Sequence, residues 1–175
     1  MKLRLVGLLS IMVYFIACKK DGDGGSCISL EQHPGWSTIL FKGGYSIQVP
    51  SSYAGNGAIG FEGLVFSKNS ADNAVLLNYA YCSPLFCYPF GDTLSASIPS
   101  FLDVTVVDKK IRLDKKVSFC GSDGKTGVFY YNKTSSALGR LYWKDKGVYK
   151  EALDVRFTSD KYQEVLDILK SIKAV

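Results

Sequence analysis

Five cysteines, one histidine and sixteen scattered carboxylates are the groups in this chain with the chemistry to do more than fold. Cys18 stands apart, directly after an apolar run and a small residue, Ala17, whereas Cys27, Cys82, Cys87 and Cys120 lie in the body of the sequence. An even set of body cysteines favours disulfides if the chain is exported to an oxidising compartment. Four thiols allow three connectivities, and spacing does not choose among them. Cys82 and Cys87 enclose only Ser83-Pro84-Leu85-Phe86, a loop that can close locally. Cys27 with Cys120 would then tie the start of the body to a later strand, the more constraining link. No C-x-x-C occurs and His33 is the one histidine, so neither a zinc site nor a redox dithiol is expected, and no metal or other cofactor.

Other chemistry finds little support. His33 sits in Glu31-Gln32-His33-Pro34-Gly35, a loop composition, and no Gly-x-Ser-x-Gly elbow presents a serine to it. Acidic residues are spread through strands and turns, so no glycosidase pair stands out. Gly55, Gly57 and Gly60 satisfy G-x-G-x-x-G, but Phe61–Phe66 after them reads as strand rather than the helix a dinucleotide site requires. Asp21 and Asp23 lack the further acids of a calcium loop. Asn132-Lys133-Thr134 is a formal sequon, and Asp92-Thr93-Leu94 resembles an acidic-threonine-apolar O-glycosylation site, although Asp92 is equally a helix cap. The most unusual stretch is aromatic. Tyr79, Tyr81, Phe86, Tyr88 and Phe90, with two prolines, surround the Cys82–Cys87 loop as a candidate recognition patch, to which Tyr130, Tyr142 and Trp143 are possible additions. The competing expectation is that these rings fill the core.

The N-terminus has three parts. Lys2 and Arg4 give a positive start, and Leu5 to Ile16 form an apolar run broken only by Gly7 and Ser10. That run is too short for the ~20 residues a membrane-spanning helix needs and has the length of a signal-peptide core. Phe15-Ile16-Ala17-Cys18 resembles the lipobox of bacterial lipoproteins. The resemblance implies cleavage after Ala17 and diacylglycerol on the Cys18 thiol, so that residues 1–17 are a signal peptide. Residues 18–26 are polar and glycine-rich, a flexible tether. Lys19, rather than aspartate, follows the cysteine, and by the same resemblance the destination is the outer membrane, facing the periplasm or the outside. Buried acyl chains contribute about 0.8 kcal/mol per methylene, and two or more make such an anchor durable.

The formal charge of the whole chain is +5, and residues 1–17 carry two bases and no acid. The surplus beyond them is mild and scattered, with pairs at Lys109-Lys110 and Lys115-Lys116, so a nucleic-acid partner is not expected. Residues 27–175 suit one domain.

The elements that must hold these groups are mostly strands. Tyr45–Val49 alternates apolar and polar residues and stops at Pro50, with a turn at Gly55-Asn56-Gly57. Further strands are expected at 61–66, 74–81, 101–107, 111–119, 126–131, 138–143 and 148–157, with turns at 108–110 and at Asp145-Lys146-Gly147. From Ser159 to Lys173, Tyr162, Val165, Leu166, Leu169 and Ile172 fall on one helical face, with Ser159 or Asp160 as N-cap and Gln163 completing a capping box. The expected fold is α+β: an antiparallel sheet of about seven or eight strands with a C-terminal amphipathic helix packed on it. The early strand Tyr-Ser-Ile-Gln-Val-Pro and the closing Ile168–Lys173 segment resemble the PsbP-like α/β/α domains. That resemblance implies a binding or scaffolding domain without enzymatic activity and carries over no site residues.

The expectation is therefore an envelope lipoprotein, held to a membrane through Cys18, whose domain binds a protein or small ligand. The alternative is a small envelope hydrolase with its site unassigned.

Overall fold

The computed structural model describes residues 27–41, 44–55, 64–67, 75–79, 93–106, 108–121, 124–134 and 137–175. Long alternating runs in the second half of the chain build its centre. Strands β1 to β7 are Ile28–Ser29, Ser37–Phe41, Tyr45–Val49, Tyr53–Gly55, Leu64–Ser67, Val75–Tyr79 and Thr93–Leu94. Strands β8 to β13 are Leu102–Val106, Lys109–Leu113, Lys115–Gly121, Gly124–Asn132, Ala137–Asp145 and Val148–Phe157. A 3-10 turn, Ser159–Lys161, leads into α1, Tyr162–Lys170, and β14, Lys173–Ala174, closes the chain.

The described strands form three sheets rather than one. The large sheet runs β1-β10-β11-β12-β13-β6-β5-β4, with β7 also on β13. A small sheet is ordered β14-β3-β2, and β8 and β9 form a separate hairpin. The expected antiparallel pairing needs correction at β1, which runs parallel to β10, with Ile28 opposite Phe119. A parallel partner is available there because the chain enters the sheet from far away in sequence, and a disulfide holds it. Leu30, just past β1, donates its N–H to the Cys120 carbonyl.

Strand β12 is buried on both faces up to Tyr142, as a central strand must be. One face carries Ala137, Leu141 and the half-buried Trp143. It joins Phe129, Leu153, Val155 and Leu77 in a core completed by Val165, Ile168 and Leu169 of α1 and by Ile47 of β3. The other face carries Leu138, Arg140 and Tyr142, where a second cluster forms with Val128, Tyr130 and the hairpin residues Val104 and Leu113. Helix α1 therefore packs on one face and the β8–β9 hairpin on the other. The tight turn between β12 and β13 places Lys146 at φ 48° and Gly147 at φ 83°, a two-residue hairpin that demands left-handed residues.

The helix is shorter than the 159–173 expected from periodicity. The chain leaves the helix at Ser171, whose hydroxyl donates to the Ile168 carbonyl at 2.6 Å and accepts the Gln48 N–H at 2.6 Å. Lys173 and Ala174 then pair with Ser46 and Tyr45 of β3, and a strand replaces the last helical turn. No side-chain capping box forms at its start. Asp160 instead interacts with the Thr158 side chain, and Gln163 reaches Asp167 at 3.1 Å.

Candidate functional site

Among the described residues a concavity surrounds Trp143. Two adjoining cavities of about 600 and 470 Å³ share Trp143 and Ala174 in their walls, volumes in the range of small-ligand sites. Leu30, Cys120, Thr126 and Ile172 bound the first, and Tyr45, Asp145 and Lys150 the second. Bulges shape both walls. The β10–β11 register slips between Phe119 and Cys120, where Thr126 hydrogen-bonds the Phe119 carbonyl at 3.2 Å. The β12–β13 register slips between Leu141 and Tyr142, freeing the Ala152 carbonyl to accept the Tyr45 hydroxyl. Lys150 bonds Asp145 at 2.7 Å, and that contact holds the Asp145 carboxyl below its ordinary range. A flat indole beside a fixed ion pair can stack and hydrogen-bond a ligand.

A second polar constellation lies on the opposite face of the large sheet. Tyr130, Arg140, Asp154 and Asn78 stand in register across β11, β12, β13 and β6, and all four are buried. Arg140 bonds Asp154 Oδ1 through Nε at 2.9 Å and reaches Glu151 Oε1 through Nη2 at 3.1 Å. Burial pushes the Asp154 carboxyl up to about 6, with Arg140 pulling the other way. Of these the sequence singles out only Tyr130, as a possible part of the aromatic patch, and not Arg140, Asp154, Glu151 or Asn78. The available signal was an arginine and two acids inside long, otherwise apolar strands.

The earlier candidates divide sharply. Cys27 and Cys120 form a disulfide, with Cα atoms 5.4 Å apart, and Cys120 lies in the wall of the first cavity. Cys18, Cys82 and Cys87 lie outside the described residues, as do Tyr81, Phe86, Tyr88 and Phe90. Tyr79 is described only as the end of β6, opposite Leu153. Of the possible additions to the aromatic patch, Tyr130 and Tyr142 follow the competing expectation and fill the core. Tyr130 and Tyr142 are wholly buried, edge to face, on one side of the sheet, and Trp143 emerges on the other.

His33 closes the end of the helix. Its Nε2 lies 3.0 Å from the Asp167 carbonyl, its ring packs tilted against Trp36 with centroids 4.2 Å apart, and its backbone N–H donates to Gln48 Oε1. Gln32 Nε2 and the Glu31 N–H donate to the carbonyls of Ser171 and Lys170, so the 31–33 segment satisfies carbonyls that helix ends leave open. Of the glycine motif only Gly55 is described, at the end of β4. Asn132 makes an Asx turn to the Thr134 N–H and reaches back to the Arg112 carbonyl.

No protein-family model matches the sequence, and none of the curated proteins matches it. Among the described residues no three His, Cys, Asp or Glu side chains group as metal ligands. None of the described helices is long and apolar enough to cross a membrane.

Proposed function

We propose that this chain is an outer-membrane lipoprotein of the bacterial envelope, tethered through lipid on Cys18, whose β-rich domain is a binding module. The observation that carries the reading is the Cys27–Cys120 disulfide. It fastens the first residue after the tether to β10, in the kind of cross-link that persists in oxidising, extracytoplasmic compartments. The tether therefore enters the body at a covalently fixed point rather than at a fraying end. The Trp143 furrow lies against that same disulfide and supplies the concave surface a binding module needs. The aromatic segment Tyr79–Phe90 belongs to the proposal as a second contact surface for a protein or small ligand.

Fractionation of cells expressing the native chain and a Cys18→Ser variant tests the anchor, and protease treatment of intact cells reads its orientation. The expected result is native protein in the outer-membrane fraction and soluble variant. A variant that stays in the membrane overturns the lipid tether.

A further inference from the structure

The Arg140 cluster sets one guanidinium between two carboxylates inside the sheet, and its geometry treats the two acids unequally. Asp154 takes Arg140 Nε on Oδ1, while Oδ2 is buried and accepts no hydrogen bond among the described residues. Arg140 turns its Nη2 toward Glu151 instead. One guanidinium cannot neutralise two carboxylates shut away from water, so the acid that holds it by a single oxygen is the one that keeps a proton. Among the described residues few other charges face Asp154. Asn78, its neighbour on β6, is uncharged, and Arg156 lies two residues along β13 on the same face but is exposed. Tyr130 is next in register beyond Arg140. On the covering hairpin, Asp103 is engaged by Lys110 and Arg112 on the exposed side. Strand β7 brings only Thr93 and Leu94 to β13.

We propose that Asp154 is a proton-operated latch: it carries a proton while β6, β12 and β13 are fully packed, and ionisation loosens that junction. The position makes the latch consequential. Tyr79, the end of β6, pairs with Leu153, and Thr93, the start of β7, pairs with Lys150. Both strands flanking residues 80–92 are thus seated on β13 within one residue of Glu151 or Asp154. A proton on Asp154 tightens the stems on either side of that segment, and its loss relaxes them.

Urea unfolding of the purified protein and of Asp154→Asn, at about pH 5 and about pH 7.5, tests the latch. A folded value of about 6 against an ordinary 3.8 predicts that the native unfolding constant rises about tenfold over that interval. Asp154→Asn, which keeps the shape and cannot ionise, should lose that tenfold component. In native protein, amide exchange at Leu77 and Val155 should quicken over the same interval. A variant that retains the native pH slope overturns the proposal. If the variant does not fold, carboxyl-carbon NMR of the native protein decides: Asp154 titrating near 6 upholds the latch, and titration in the ordinary carboxylate range overturns it.

Discussion

Arg140 and Asp154 face each other directly across β12 and β13, joined at 2.9 Å, and neither side chain reaches solvent. Such a contact contributes little net stability when formed, because desolvation offsets the attraction, but removing Arg140 strips the buried Glu151 carboxylate, 3.1 Å away, of the guanidinium it faces. Arg140→Met should therefore destabilise the domain by about 3–5 kcal/mol, a large share of the roughly 5–15 kcal/mol a domain possesses. Urea unfolding measures it. A loss below about 1 kcal/mol, the value of an exposed pair, would mean that water reaches the cluster.

How much of this was legible in the sequence depended on whether the signal was local. The turn at Asp145-Lys146-Gly147 and the limits of β13 follow from local pattern and were read correctly. The helix overran because Ile172 keeps the apolar spacing, yet Lys173 and Ala174 gain a ladder with β3 that no local pattern announces. Arg140 escaped notice for a similar reason. A charged residue alternating with apolar ones in a strand normally marks the solvent face, and here that side of the sheet is buried. Trp143 was suspected of lying at a surface, but its separation from Tyr130 and Tyr142 needed the sheet's register. The parallel seat of β1 was equally invisible, since it joins residues 91 positions apart (Ile28 and Phe119).

Stability should peak in mildly acidic solution, because two sets of carboxyls pull in opposite directions. Asp160 is exposed and Asp103 and Asp145 are partly exposed, and all three are held below their ordinary value, chiefly by Thr158, Lys110 and Lys150 respectively. Their contribution is present above the ordinary carboxylate value and is lost as pH falls through their lowered values. Asp154 has a raised value, so its contribution is complete below the ordinary value and is lost as pH rises through about 6. Thermal melts across pH should show a maximum between about pH 4 and 5. Added salt at about 0.5 M should flatten the acid limb, where the charges are exposed, and leave the neutral limb in place. A profile that rises steadily to pH 8 would contradict the assignment for Asp154.

Opening the Cys27–Cys120 bridge should weaken the whole domain, not only its first strand. The cysteines are 93 residues apart in sequence. Chain-entropy arguments for a loop of that size give about 4–5 kcal/mol, and removing native disulfides typically costs about 2–5 kcal/mol. Cys27→Ser should accordingly lower the urea midpoint with the same slope as the reduced native protein. If reduction lowers the midpoint and Cys27→Ser does not, the sensitivity to reductant resides in a different pair of thiols.

Gly139 is fixed by its surroundings, not by its backbone angles. It lies on β12 opposite Tyr131 and Val155, within the layer where the Phe129 ring packs against Phe157 at 6.4 Å. A methyl group at 139 would overlap the edge of the Phe129 ring and come within 2.8 Å of the Tyr130 carbonyl. The ring has no room to swing aside, because Phe129 is wholly buried and also stacks on Tyr131 at 5.4 Å. The carbonyl cannot move without breaking the β11–β12 ladder. Overpacking typically costs about 1–3 kcal/mol, and here two rigid neighbours place Gly139→Ala at or above the top of that range. Gly147→Ala is the comparison, since its obstacle is a φ of 83° with open space around the Cβ position, and about 1 kcal/mol is expected. Equal losses for the two variants in urea unfolding would show that the β11–β12 interface yields, and that packing around Phe129 is not what excludes a side chain at 139.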